Sequence, residues 1–274
     1  MIKKILVSLD SSPFTDAAIR HAVDLAKSHH AELTGIAVIH KKKLESVGPV
    51  PIGGMHYAKN LWEYRMSETA KHADEVKQKF ETACASEGVC CKADCLTGDP
   101  LDLMTSYARY HDLTVIGMRH LFDYGVIDEP ENLICTLVKE GVRPIMACAE
   151  NFRPIKRALI AYNGSVKSAA AMRAFVQLNL WPGIETRIVS FSKDRLSSKR
   201  LLDDVADYCK LHGLNPMLEY VEGGAKANLL SHAARWDADI IVMGNSELSP
   251  LMARFFNDAA LHAIKHSDRA LFLA

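Results

Sequence analysis

Two glycines follow apolar segments directly in this sequence, and each is suited to bring a backbone close to a ligand. Residues 113–117 read Leu-Thr-Val-Ile-Gly, and residues 240–244 read Ile-Ile-Val-Met-Gly. Apolar and β-branched residues without alternation predict strands buried on both faces, as in a parallel sheet. Ligands of open α/β sheets bind just beyond the carboxyl ends of such strands. Gly117 and Gly244 therefore mark two candidate binding clefts.

Polar residues follow the first predicted strand of each half. Asp10 comes directly after Ile5–Leu9, and Asn163 comes directly after Ala158–Tyr162. Asp10 is suited to contact a ligand or to cap the next helix, and one residue can do both. The run Asn163-Gly164-Ser165 is more typical of a turn and helix cap than of a ligand contact.

The thiols and imidazoles do not form a metal-ligand pattern. Cys90, Cys91 and Cys95 lack C-x2-C spacing, and the last two project from one face of a predicted strand, which favours buried structural thiols. Three histidines lie near predicted helix and strand ends without ligand spacing: His29, His30 and His40. Seven scattered cysteines, an odd number, indicate reduced thiols in the cytoplasm rather than a disulfide framework.

Composition excludes several classes of function. Lys plus Arg and Asp plus Glu each number 33, so no basic surface for nucleic acid or anionic membrane is expected. The apolar runs are too short to span a bilayer, and Asp10 interrupts the first of them, so we expect no signal peptide. No Ser-His-Asp order, Walker loop or pair of catalytic carboxylates can be assembled, so we do not expect an enzyme.

The elements that must position these residues alternate along the first half. Predicted strands are Ile5–Leu9, Leu33–Ile39, Cys90–Thr97, Leu113–Gly117 and Ile145–Cys148. Predicted helices cover Phe14 to His29, Leu61 or Ser67 to Ser86, Gly98 to Tyr110, and Pro130 to Gly141. Gly and Pro residues predict a loop over 41–60. Its residues Met55, His56 and Tyr57 would form either a lid over the cleft or a mobile surface loop.

The same order of elements returns from Arg157 onward. Predicted strands are 158–162, 187–191, 216–221, 240–243 and 270–273, with helices over 167–178 and 197–212 between them. An ordered internal repeat of strands and helices predicts parallel sheets wrapped by helices. The expected fold is therefore α/β, with two Rossmann-like domains over 1–150 and 151–274, each a five-stranded parallel sheet flanked by helices. A linker over about 149–156 joins them.

The repeated segments resemble a known family. Residues 5–10, 98–117, 158–165 and 223–244 resemble the motifs of universal stress protein domains, and the chain resembles tandem bacterial members. The resemblance implies an adenine nucleotide alpha hydrolase-like fold, domains that pair through their last strands, and a role in stress tolerance. Many members of the family bind ATP and others do not.

The resemblance also implies roles for individual residues. Asp10 matches an aspartate that contacts the nucleotide, Asn163 is its amide counterpart, and Val38 matches a valine that lines the adenine pocket. The family's phosphate loop follows the fourth strand with the pattern Gly-x2-Gly-x9-Gly-[Ser/Thr]. Its small residues let backbone N–H groups surround phosphate at a helix N-terminus.

Both halves depart from that phosphate pattern. The second half keeps Gly244, and the three remaining positions are Glu247, Asn257 and Asp258. The first half keeps Gly117, and the remaining positions are His120, Pro130 and Glu131. Carboxylates facing phosphates are unfavourable, whereas Arg119 and His120 would offset phosphate charge in the first half. We therefore expect ATP to bind weakly or not at all, and any ligand to occupy the first cleft.

The expected function is that of a non-enzymatic stress-response protein that binds a small ligand or a protein partner in the cytoplasm. The alternative is an ATP-binding universal stress protein with slow ATPase activity. The two domains are expected to pair within the chain through residues 145–148 and 270–273, because an exposed apolar edge strand promotes aggregation. A homo-oligomer is left open.

Overall fold

The structure, a computed structural model, describes residues 2–40, 55–118, 130–142, 144–244 and 259–274. The first half contains β1 (Lys4–Leu9), α1 (Phe14–His29), β2 (Glu32–Ile39), α2 (Met55–Ser86), β3 (Cys91–Thr97), α3 (Pro100–Ala108), β4 (Leu113–Gly117), α4 (Pro130–Lys139) and β5 (Ile145–Cys148). The second half contains β6 (Arg157–Ala161), α5 (Val166–Leu178), β7 (Glu185–Ser192), α6 (Arg195–Leu211), β8 (Met217–Glu222), α7 (Ala225–Trp236), β9 (Ile240–Met243), α8 (Ala259–His266) and β10 (Ala270–Leu273).

All ten strands belong to one sheet. Its order is β3-β2-β1-β4-β5-β10-β9-β6-β7-β8. Neighbouring strands within each half are parallel, which confirms the predicted α/β class. Strand β5 pairs antiparallel with β10, and Met146 faces Phe272 in that ladder. The sequence predicts a five-stranded parallel sheet in each half, and this ladder between residues 145–148 and 270–273 joins the two sets of five strands edge to edge into one continuous sheet.

Helix α2 begins earlier than its predicted start at Leu61 or Ser67. It runs for 32 residues from Met55, so residues 55–60 are helical and the predicted loop there is wrong. The reason is visible in the sequence, since no glycine or proline occurs between Gly54 and Gly88. An i,i+4 ion pair joins Lys59 and Glu63, with 3.7 Å between the charged atoms. The rest of the predicted loop, residues 41–54, lies outside the described residues.

The two halves repeat at the level of single hydrogen bonds. Asp112 precedes β4, and its Oδ2 accepts the backbone amides of residues 3 and 4 at 2.6 and 3.0 Å. Asp239 precedes β9, and its Oδ2 accepts the amides of residues 156 and 157 at 2.8 Å each. Each aspartate thus fixes the start of the first strand of its half against the fourth.

Two apolar layers cover the sheet, and both cross from one half to the other. Successive residues of a strand point to opposite faces, so Met146 and Phe272 belong to one layer while Ile145 and Leu271 belong to the other. Phe175 of α5 packs edge-on against Phe272, with 5.5 Å between ring centroids. The strand ends that could bind a ligand are therefore held on one continuous core.

Helix α1 also contacts the second half and the linker. The Nε2 atom of His29 lies 2.8 Å from the carbonyl oxygen of Leu180. In the linker, the Phe152 ring lies 4.6 Å from the His21 ring, and the Arg20 guanidinium lies 3.9 Å from its centroid. These contacts fix α1 and the linker relative to each other.

Candidate ligand cleft

Three of the predicted site residues lie together at the carboxyl edge of the first half. Leu9 pairs with Ala37, which places Asp10 beside Val38 on the neighbouring strand β2. Val7 pairs with Val115, which places Gly117 of β4 beside the end of β1 on its other side. Adjacent strands lie about 4.8 Å apart, so one small molecule can reach all three positions.

Asp10 is buried and holds the turn between β1 and α1. The residue is 1% exposed. Its Oδ1 atom accepts the backbone N–H of Ser12 at 2.8 Å and the hydroxyl of Thr15 at 2.6 Å. The N-cap of α1 is Pro13, and no side chain caps that helix. The interpretation of Asp10 as the helix cap is therefore wrong, because its bonds fix the turn before the helix.

The side chains around Asp10 give the cleft an apolar floor and a polar rim. Val38 is fully buried and belongs to the same apolar cluster as Met104. His40 follows β2, and its Nε2 atom lies 3.9 Å from Oδ2 of Asp99. Asp99 caps α3 by accepting the backbone N–H of Leu101 at 2.9 Å. An imidazole and a carboxylate therefore lie on the rim beside β2.

The equivalent turn of the second half caps its own helix. Asn163 is exposed, and its Oδ1 accepts the amide of Ser165 at 3.1 Å. Ser165 is the N-cap of α5, and its hydroxyl oxygen accepts the amide of Ser168 at 3.1 Å. The predicted turn and cap at residues 163–165 is confirmed.

Gly244 is required by close packing. A Cβ atom at this position would lie 2.5 Å from the carbonyl carbon of Lys167 and 2.7 Å from the amide nitrogen of Ser168. Both atoms belong to the backbone of the first turn of α5, so they cannot move as a flexible side chain can. The glycine at the end of β9 therefore has a structural role that needs no phosphate.

Two further residues distinguish the second cleft from the first. The shared register places Phe191 where the first half has Val38, and its ring lies 5.9 Å from the His232 ring. Asp194 caps α6 by accepting the amides of Leu196 and Ser197. The hydrogen bond from the Ser197 hydroxyl holds the pKa of Asp194 below its usual range. A carboxylate thus already occupies the N-terminus of α6.

Most of the predicted phosphate-loop residues lie outside the described residues, so their roles stay predictions. They are Arg119, His120, Glu247, Asn257 and Asp258. Pro130 and Glu131 lie in the first turn of α4.

The predicted burial of the three clustered thiols is wrong for two of them. Cys90 and Cys95 are exposed and Cys91 is half-buried, because β3 is the outermost strand of the sheet. Elsewhere burial raises the pKa of Cys209 to about 11. The described part of the chain brings no three His, Cys, Asp or Glu residues together as a metal site. Nor does it contain a helix long and apolar enough to cross a membrane.

Sequence reasoning missed a polar pair that links the third helix of each half to its edge strand. The Tyr107 hydroxyl donates to Oδ2 of Asp94 at 3.2 Å. At the equivalent position, Nε2 of His232 lies 3.1 Å from Oε2 of Glu219. The paired residue types differ between the halves, so alignment of the repeat alone does not reveal the pair. The aspartates Asp112 and Asp239 did leave a signal, since each stands one residue before a repeated apolar strand.

Comparison with known proteins supports a family for the first half and a fold for the whole chain. Residues 1–123 match the model of the Universal stress protein family. The fold is similar to that of a universal stress protein from Archaeoglobus fulgidus DSM 4304, with a TM-score of 0.72, 17% identity, and coverage of 99% of this chain and 95% of the other.

A protein of unknown function from Pseudomonas aeruginosa PAO1 is also similar in fold. Its TM-score is 0.61 and its identity 14%, with coverage of 99% of this chain and 92% of the other. No curated protein matches the sequence. At these identities the likeness concerns fold alone, and it extends over both halves.

Proposed function

We propose that this chain is a tandem universal stress protein, which binds a small ligand or a protein partner at its first cleft and catalyses no reaction. The family match over residues 1–123 supports this assignment for the first half. The repeat of strand order, register and aspartate contacts supports extending it to residues 151–274. The sequence offers no catalytic constellation, which favours a binding role.

The observation that carries the proposal is the contrast between the two clefts. In the first, Asp10 is buried at the strand end, and no side chain caps α1 beside it. In the second, Asn163 is exposed and Ser165 already caps α5. The backbone of α5 also leaves no room beside Gly244 for a Cβ atom. The first half therefore offers a ligand a buried carboxylate at the strand end, whereas the second half has an exposed amide at the equivalent position.

The chemistry of the first cleft favours a ligand with hydroxyl or amino groups on a partly apolar body. The Asp10 carboxylate accepts hydrogen bonds, and Val38 belongs to the apolar floor beside it. Arg119 and His120 follow Gly117 in the sequence and would offset a negative charge on the same ligand.

The second candidate is an ATP-binding protein with slow ATPase activity. The placement of Asp10, Val38 and Gly117 on three adjacent strands favours it. The departures from the phosphate-loop pattern at His120, Pro130 and Glu131 weigh against it. ATP is the only cofactor that either candidate function involves.

The test combines released-ligand mass spectrometry with calorimetry. Small molecules set free by denaturing the purified protein are identified, and Mg-ATP is titrated into the native protein. We expect no ATP binding tighter than about 100 μM, which corresponds to about −5.5 kcal/mol. Low-micromolar binding that is lost in Asp10→Asn would instead support the second candidate.

Two substitutions locate the site. Asp10→Asn keeps an oxygen acceptor for Ser12 and Thr15, so the turn should survive while the ligand contact changes. Asn163→Ala is the matched control at the equivalent position of the second half. We expect Asp10→Asn to lower ligand occupancy and Asn163→Ala to leave it unchanged. Unchanged occupancy in Asp10→Asn, or a loss only in Asn163→Ala, would place the ligand elsewhere.

A further inference from the structure

The connection between α2 and β3 brings two thiols together. Cys84 is fully buried in the last turn of α2, and Cys91 is the first residue of β3. The chain reverses between them at Gly88, whose φ is +66°, and the Val89 amide donates to the Cys84 carbonyl at 2.9 Å. Val89 and Cys91 both pack against the apolar cluster that contains Cys84. Cys91 and Ala93 face the same side of β3 and pack against this cluster, so the Cys91 thiol lies on the side of the sheet where Cys84 is buried.

We propose that Cys84 and Cys91 form a thiol pair that hydroperoxides oxidise to a disulfide within the first half. The Cys91 thiolate attacks a peroxide oxygen, so an S–O bond forms while the O–O bond breaks. Hydroxide, or alkoxide from an alkyl hydroperoxide, leaves and takes the thiol proton. The Cys84 sulfur then attacks the Cys91 sulfenic acid, an S–S bond forms, and hydroxide leaves as water with the Cys84 proton. The peroxide is reduced by two electrons and the two thiols are oxidised.

The two thiols have different roles in this reaction. Cys91 is half-buried and therefore reaches solvent, whereas Cys84 does not. Burial raises the pKa of the Cys84 thiol, which makes it a poor first nucleophile. Cys84 is therefore suited to attack a neighbouring sulfur that has already been oxidised. Cys90 is exposed, but successive residues of an extended chain point to opposite sides, so Cys91 is the better partner.

The second half contains the same turn without the partner thiol. Gly213 has a φ of +79°, and the Leu214 amide donates to the Cys209 carbonyl at 2.9 Å, as in the first half. Cys209 is fully buried like Cys84. The strand register places Pro216 at the position of Cys91. Cys209 is therefore an internal control, since it is a buried thiol at the equivalent position that has no cysteine at the position of Cys91.

The pair lies where a covalent bond would constrain the fold. A disulfide would tie the end of the 32-residue helix α2 to the edge strand β3. It would restrict fraying at that edge, since a cross-link limits the unfolded and partly unfolded states. This role is independent of any ligand in the cleft.

Peptide mapping tests the proposal on the full-length reduced protein. The protein is treated with a few equivalents of hydrogen peroxide, its free thiols are alkylated, and it is cut with trypsin and a glutamate-specific protease. Cleavage after Glu87 separates Cys84 from Cys90 and Cys91, so a bridge appears as two joined peptides. We expect the Cys84-containing peptide Thr82–Glu87 joined to the peptide Gly88–Lys92, with Cys209 still alkylated.

Single substitutions identify the partner. Cys90→Ser should keep the bridge, while Cys91→Ser should abolish it without disturbing the buried core. The proposal is overturned by a Cys90–Cys91 bridge, by dimers linked through Cys90 or Cys95, or by a bridge that survives in Cys91→Ser. It is also overturned if peroxide oxidises Cys209 as readily as Cys84, or leaves all the thiols reduced.

Discussion

Protonation of His21 should destabilise this protein at mildly acidic pH. The imidazole lies on α1, is 6% exposed, and packs against Phe152 of the linker. Burial, with a smaller contribution from the Arg20 guanidinium, lowers the pKa of His21 from 6.5 to about 4. Between these values the unfolded chain binds more protons than the folded chain, so the free energy of unfolding falls as pH falls.

The size of the effect follows from the two pKa values. The full difference corresponds to about 3 kcal/mol, since one pKa unit is about 1.4 kcal/mol. Near neutral pH almost none of this free energy of unfolding has been lost, because the imidazole is uncharged in both the folded and the unfolded state. Lowering the pH from about 7.5 to about 5 should remove about 2 kcal/mol through this group alone.

Urea unfolding at a series of pH values measures this contribution. His21→Phe keeps a ring against Phe152 and removes the titrating group. Over the same pH range, the free energy of unfolding of this variant should fall by about 2 kcal/mol less than that of the wild type. His72→Gln, an exposed histidine of α2, is the matched control and should follow the wild type. Comparing variants cancels the titration of the carboxylates. Equal pH slopes in the wild type and His21→Phe, or an NMR titration of His21 near 6.5, would refute the reasoning.

Two substitutions test the packing of the second half, both by urea unfolding. Gly244→Ala should lower the free energy of unfolding by about 1–3 kcal/mol, because its Cβ would overlap the α5 backbone. Gly98→Ala should lower it less, because its Cβ would meet only the Leu103 side chain. Equal losses in the two variants would contradict the packing argument. Asp239→Ala should lose about 2–4 kcal/mol, because it leaves the amides of residues 156 and 157 and the Nε atom of Arg153 without their acceptor. Asp112→Ala, whose hydrogen bonds are more exposed, should lose less, and the reverse order would show that burial does not set the cost.

The sequence alone was sufficient for the class of the fold and for the positions of most strands. Apolar runs such as Leu113–Gly117, separated by helical periodicity and repeated once, leave few alternatives to a parallel sheet with helices on both faces. The start of α2 was predicted too late, because the polar residues of its first turns weaken the amphipathic pattern although no residue there breaks a helix.

Part of the candidate cleft was also visible in the sequence. Strand ends in the sequence predict Asp10 and Gly117 as candidates, and the family resemblance adds Val38. The strand order of the fold then brings the three positions together. The hydrogen bonds of Asp10 were not predictable from the sequence. The sequence allowed Asp10 to be a helix cap, and only the fold shows that its oxygen holds Ser12 and Thr15.

Contacts between residues far apart in the chain were decided by the tertiary structure. The antiparallel pairing of β5 with β10, the packing of His21 on Phe152, and the exposure of Cys90 and Cys95 all depend on which surfaces meet after folding. Periodicity records only how a residue is placed relative to its neighbours in sequence. The partners of a strand edge, and the solvent exposure of a thiol beside it, depend on the whole sheet.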